Sequence, residues 1–191
     1  MPNLSNFLSV VIGVLLSAQA QFVVLPQEVP LETWSPRMGD RIIIDTQKNE
    51  GYVVHPATHE YVRFPLITGQ RRVVNYIGLT YNAATPNREW LIQSLDTQSD
   101  RYTYGPEGHF LRLYVDGERT HYGIHGHAAE DIMFDRDNRF QSMGCIIVQT
   151  DILDMLMKTF ALNEGVIAVS TRYGLEGIEE VHREHIIAQN I

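Results

Sequence analysis

A chain of 191 residues, 44% apolar and 20% charged, is long enough for one well-cored domain and short for several. Its net charge of −8 and its scattered Lys and Arg leave no basic footprint, so nucleic acid is excluded as an expected partner. One cysteine cannot form an intramolecular disulfide, which excludes a disulfide-stapled scaffold.

Residues 1–20 stand apart from the rest. Phe7 to Ala18 is nearly continuous apolar sequence, no charged side chain precedes Glu28, and Ala18-Gln19-Ala20 has the small-x-small form of a signal-peptidase site. The expectation is a cleaved export signal with Gln21 first in the mature chain, although no Lys or Arg supplies the usual positive start. A retained anchor is the competing reading; its apolar run is shorter than the ~20 residues of a spanning helix.

Residues 21–38, with Pro26, Pro30 and Pro36, read as an extended lead-in over the domain surface. Arg41 to Asp45 is a β-branched strand, Gln47 to Gly51 a turn, and Tyr52 to His55 its hairpin partner. Tyr61 to Thr68 predicts a strand ended by Gly69. Val73 to Leu79 is apolar and β-branched, Asn82 to Asn87 is a loop, and Glu89 to Gln93 is a further strand. Thr97 to Gly108 is a long polar loop with interleaved Tyr, in which Tyr102 and Tyr104 are expected to pack over the loop. His109 to Val115 and Thr120 to His125, joined near Asp116-Gly117, form a strong hairpin signal.

Ala128 to Arg139 is expected as an exposed loop, and Gly144 to Val148 as a short strand. Asp151 to Leu162 is a helix by its apolar spacing at 152, 153, 156, 157 and 160, with Thr150 or Asp151 as N-cap. Val166 to Ser170 is a last strand. Residues 173–191 end the chain, with a charged amphipathic helix over Leu175 to Gln189. The whole predicts a mainly β fold with late helices, sandwich or barrel-like, its strands recurring at short spacing.

Chemistry concentrates between Tyr122 and Val148. Tyr122-Gly-Ile-His125-Gly126-His127 precedes the lone cysteine in Ser142-Met143-Gly144-Cys145. A thiol is a good nucleophile only as thiolate, and a nearby imidazole is the usual acceptor of its proton. In a strand from Thr120, Tyr122 and Ile124 face one side while His121, Gly123 and His125 face the other. Gly144 lets a substrate approach the main chain, and amides around Met143 to Cys145 are candidate oxyanion donors.

His125, a gap of 16 residues that opens on Gly126, then Ser142-x-Gly144-Cys145-Ile resembles the signature of the L,D-transpeptidase catalytic domain. The likeness extends to the Arg41–Val54 hairpin, Phe64 to Gly69, Thr85-Pro86 with the Trp90 strand, and the helix and strand after the cysteine. It spans roughly Gly39 to Ser170, and residues 39–172 are taken as the domain. The resemblance implies that Cys145 is the acylated nucleophile and His125 its general base. Gly126 would orient the imidazole, and Ser142, Met143 and Gly144 would shape the oxyanion site. It implies a peptidoglycan tetrapeptide stem as substrate, a thioacyl intermediate, no cofactor, and a periplasmic or wall-associated protein. Two positions depart from the pattern: Met143 replaces a second His, and Ile147 stands where Arg or Asn is common. Arg136 or Arg139 could then supply the lost carboxylate partner, and Tyr122 and His127 are further substrate-binding candidates.

Other readings stay open. Cys145 could be a small buried hydrophobe and His125 a hydrogen-bonded strand residue. His125-x-His127, with His121 or Cys145, is a conceivable zinc set, although no His-Glu-x-x-His or Cys-x-x-Cys spacing supports it and no metal is expected. His55, His59, His109, His182 and His185 read as surface or structural. A murein peptidase, thiol- or zinc-dependent, and a non-catalytic wall-binding module are the alternative functions.

Overall fold

The computed structural model describes residues 26–76 and 78–176. The expected export signal and terminal helix lie outside these residues, apart from Leu175 and Glu176. The lead-in carries a short strand, β1 (Gln27–Glu28), and a 3-10 turn at Leu31–Thr33. Then come β2 (Arg41–Asp45), β3 (Glu50–His55) and β4 (Glu60–Pro65), followed by β5 (Thr68–Gly69). The strand expected from Tyr61 to Thr68 thus breaks after Pro65, which has no N–H to extend a ladder. The pair β6 (Val73–Tyr76) and β7 (Leu79–Asn82) forms a separate hairpin; β8 (Arg88–Thr97) runs longer than its apolar segment suggested.

The hairpin β9 (His109–Val115) and β10 (Glu118–His125) forms as read. The stretch expected as loop contains α1 (Glu130–Phe134), and β11 (Phe140–Ser142) was not anticipated. Five helical residues are too few to display a 3.6-residue period, so α1 carries no pattern to read. The strand expected from Gly144 to Val148 shrinks to β12 (Ile146–Ile147). Helix α2 (Thr150–Leu162) starts where expected, but its N-cap is Gln149 without a side-chain bond; Thr150 Oγ1 instead donates to Glu130 Oε2 at 3.0 Å. Strand β13 (Ile167–Arg172) ends the series.

Nine strands form one mixed sheet in the order β1-β4-β3-β2-β13-β8-β9-β10-β12. Its far edge returns to the chain leaving β4: Ile67 and Ile147 exchange N–H···O bonds, each 2.9 Å. That bridge rolls the sheet toward closure, the barrel-like form of a mainly β domain. Alternation puts Ile42, Ile44, Ile92, Leu111, Leu113, Ile124 and Ile146 inside, where Ile152, Leu153, Met155 and Leu156 of α2 cover them. Each such side chain, removed from water, contributes about 1.5–3 kcal/mol. The opposite face of β9, β10 and β12 holds the candidate site.

Candidate active site

Cys145 sits one residue before β12. The parallel register puts Ile124 opposite Ile146 and His125 opposite Ile147, so Cys145 is level with Gly123. Ile124 and Ile146 enter the core, and alternation turns Gly123, His125 and Cys145 to the other face. The thiol lies against β10, its Sγ 3.7 Å from the His121 carbonyl oxygen, with the Gly123 amide directed at it. Gly123 is required here: a Cβ would stand 2.0 Å from the Phe110 ring, which crosses it from β9.

His125 is 3% exposed. Phe110, its register partner, stacks on it at 5.5 Å and 14°, and Tyr104 from the 98–108 loop closes on it at 4.9 Å. Its Nδ1–H donates to the Gly126 carbonyl at 2.6 Å, which assigns the proton of the neutral ring to Nδ1, and a second backbone bond, to Thr103, also acts on the ring. Burial brings the imidazole down to about 4, the Gly126 bond opposing. Burial around the sulfur pushes the Cys145 thiol up to about 11, against the Gly123 amide and the Arg112 charge, although the residue as a whole is partly exposed. Both shifts favour neutral forms, so the resting pair is thiol and imidazole rather than thiolate and imidazolium.

The turn before Cys145 is held through its carbonyls. Tyr81 Oη donates to Met143 O at 3.2 Å, Thr85 Oγ1 to Gly144 O at 2.9 Å, and Ser142 Oγ to Cys145 O at 2.5 Å. Gly144 has φ +119°, and a Cβ there would meet Tyr122 Cε1 at 2.8 Å. Its amide donates to Ser142 Oγ at 3.1 Å, so Gly144 serves the turn and not a ligand. The Cys145 amide opposes the Thr85-held carbonyl across a trans peptide and points away from Thr85.

Of the remaining expected residues, Tyr122 borders this cluster, whereas Arg136 and Arg139 stand apart from it. Tyr122 packs against Trp90 at 5.5 Å on the core side, walling Gly144. Met143 is 41% exposed, its sulfur 3.8 Å from Gln70 Nε2. His127 Nδ1 accepts the Ala129 amide at 3.0 Å and meets Tyr102 edge-on. Arg136 and Arg139 line another cleft of about 360 Å³ with Lys48, Asp135 and Asp137, and neither Cys145 nor His125 lines it. Among the described residues no three His, Cys, Asp or Glu side chains group for a metal. His55 is buried, with Nδ1 2.7 Å from Asp40 Oδ1.

Sequence reading missed Tyr81, Thr85, Tyr104 and Phe110 as parts of the site, and also Arg112. Thr85-Pro86 was visible as a resemblance, without the hydrogen bonds that give Thr85 its place. Arg112 lies opposite Gly123, over the Phe110 ring at 4.2 Å.

No protein-family model matches the chain, and no curated protein sequence matches it. Solved structures do. Bd1075 of Bdellovibrio bacteriovorus superposes with a TM-score of 0.52 at 12% identity, over 80% of this chain and 55% of that one. The L,D-transpeptidase (residues 123-326) of Xylanimonas cellulosilytica gives 0.46 at 16%, over 73% and 63%. The helical cell shape determining protein Pgp2 of Campylobacter jejuni gives 0.49 at 14%, over 75% and 51%. The chain therefore spans only about half to three-fifths of these proteins' lengths. The likeness, carried by the first of the three, is one of fold: a mainly β domain with a large mixed sheet and a late helix.

Proposed function

We propose that this protein is a cysteine acyltransferase of the L,D-transpeptidase type, acting outside the cytoplasm on peptidoglycan stem peptides. Residues 39–172 form its catalytic unit, and the apolar N-terminal segment directs export. One observation carries the reading: the thiol of Cys145 and the imidazole of His125 share one sheet face on neighbouring strands, with Nδ1–H committed to Gly126.

In the first half-reaction Cys145 Sγ attacks the carbonyl before the stem's terminal D-Ala as its proton passes to His125 Nε2. The C–N bond breaks, the imidazole returns the proton to the departing amine, and a thioester remains. An amine of a second stem then attacks the thioester and restores the thiol. Starting from a neutral pair, proton transfer accompanies attack rather than preceding it. The Cys145 amide is the oxyanion donor that the fixed turn leaves available, and Ser142 and Gly144 act by holding that turn.

Intact-mass spectrometry tests this. Incubation of the mature chain with a tetrapeptide stem is expected to add the mass of the stem less D-Ala, on wild type and not on Cys145→Ala. A folded wild type that acquires no adduct from a stem or from a carbapenem overturns the reading.

A further inference from the structure

The thiol carries a second neighbour that the reaction above does not use. Arg112 projects from β9 opposite Gly123, the residue level with Cys145. Its Nη1 donates to the Thr120 carbonyl at 3.1 Å, while Cys145 Sγ lies at the next carbonyl, that of His121. Guanidinium and sulfur are thus anchored to consecutive peptides of one bulged segment, and between them stands a glycine with no side chain. Arg112 is 8% exposed, so its charge acts through little water. Its counter-ion is shared: Asp96 Oδ2 accepts Arg112 Nε at 2.9 Å and Arg119 Nη2 at 2.8 Å, one carboxylate against two cations. The strand after the cysteine adds no charge, since Ile146, Ile147 and Val148 are all apolar.

We propose that Arg112 is a positioning residue of this site, its guanidinium held by Asp96 to stabilise the Cys145 thiolate as it forms. This rests on Cys145 being the nucleophile. The other titratable groups around the thiol are His125 and Tyr122 from β10, Tyr81 from β7 and Tyr104 from the covering loop. The imidazole is neutral, and the three phenols, raised chiefly by burial and further by the Cys145 charge, carry no positive charge in either form, so none supplies a compensating cation.

The test needs no stem peptide. Iodoacetamide alkylates Cys145 by forming S–C and releasing iodide, at a rate set by the thiolate fraction, and the rate is followed against pH on the full chain. Arg112→Gln is expected to raise the apparent thiol pKa and slow alkylation at pH 8 roughly threefold to tenfold. Arg112→Lys is expected to keep most of the rate. Asp96→Asn removes the counter-charge and is expected to speed alkylation by a similar factor. A merely structural role moves Arg112→Gln and Asp96→Asn together or not at all, and that result overturns the proposal. If Arg112→Gln does not fold, Asp96→Asn decides alone: faster alkylation supports the role, unchanged or slower alkylation removes it. If the stem adduct is absent while these rates shift as expected, the proposed reaction falls and the charge assignment stands.

Discussion

His125 shows how burial sets a residue's chemistry. A free imidazole titrates near 6.5, and enclosure by Phe110 and Tyr104 holds this one down to about 4. A base with its folded pKa lowered stabilises the fold above the unfolded value and loses that contribution as pH falls through 6.5 toward 4. Because His125 is buried, little solvent screening reduces the effect, and the loss from pH 7 to pH 4 is roughly 3 kcal/mol. Urea titrations of wild type and His125→Gln at several pH values isolate it. The variant should lack this part of the acid sensitivity; equal slopes in both would remove the buried neutral imidazole from the account. His125 was legible as a base candidate from its spacing to Cys145, whereas its enclosure was not, because Phe110 and Tyr104 reach it from other segments.

At the scale of elements, the junction after β2 is organised by one carboxylate. Asp45 is fully buried and accepts four amides: Gln47 at 2.8 Å, Lys48 at 3.1 Å, Gly174 at 3.2 Å and Leu175 at 3.0 Å. Burial alone would raise its pKa; the four N–H donors outweigh it and hold the carboxylate below its usual range. The side chain therefore ties the β2–β3 turn to the chain leaving β13. Asp45→Ala strands these donors and should cost about 2–4 kcal/mol. Chemical denaturation at pH 7 should show a lower midpoint with an unchanged slope. The β2–β3 hairpin was readable from alternation and its turn. The tie to Gly174 was not, since it joins positions 129 residues apart.

For the molecule as a whole, the Ile67–Ile147 bridge links the far edge of the sheet to the chain beyond β4. It should open only on global unfolding. The hairpin β6–β7 is a two-stranded sheet with Val73 and Leu79 about two-thirds exposed, and such a pair is marginal without further strands. Hydrogen exchange should protect the amides of Ile67, Ile147 and Val169 together, and release those of 73–76 and 79–82 several orders of magnitude sooner. Equal protection in both sets would mean that the hairpin belongs to the cooperative core. Among the described residues no helix is long and apolar enough to cross a membrane.

By itself the sequence determined what local pattern can carry: the alternating strands, the Asp-Gly hairpin, the amphipathic period of α2, and the spacing that singles out His125 and Cys145. These depend on neighbours within a few residues. It could not determine the sheet order, in which β13 lies between β2 and β8, nor that Arg112, Phe110, Tyr104, Thr85 and Tyr81 converge on the cysteine. It placed Arg136 and Arg139 near a substrate because they are close along the chain, whereas the fold turns them into another cleft. Long-range pairing decides such positions, because each strand's partner is selected by how the whole apolar surface is buried, and that sum is absent from any short window of residues.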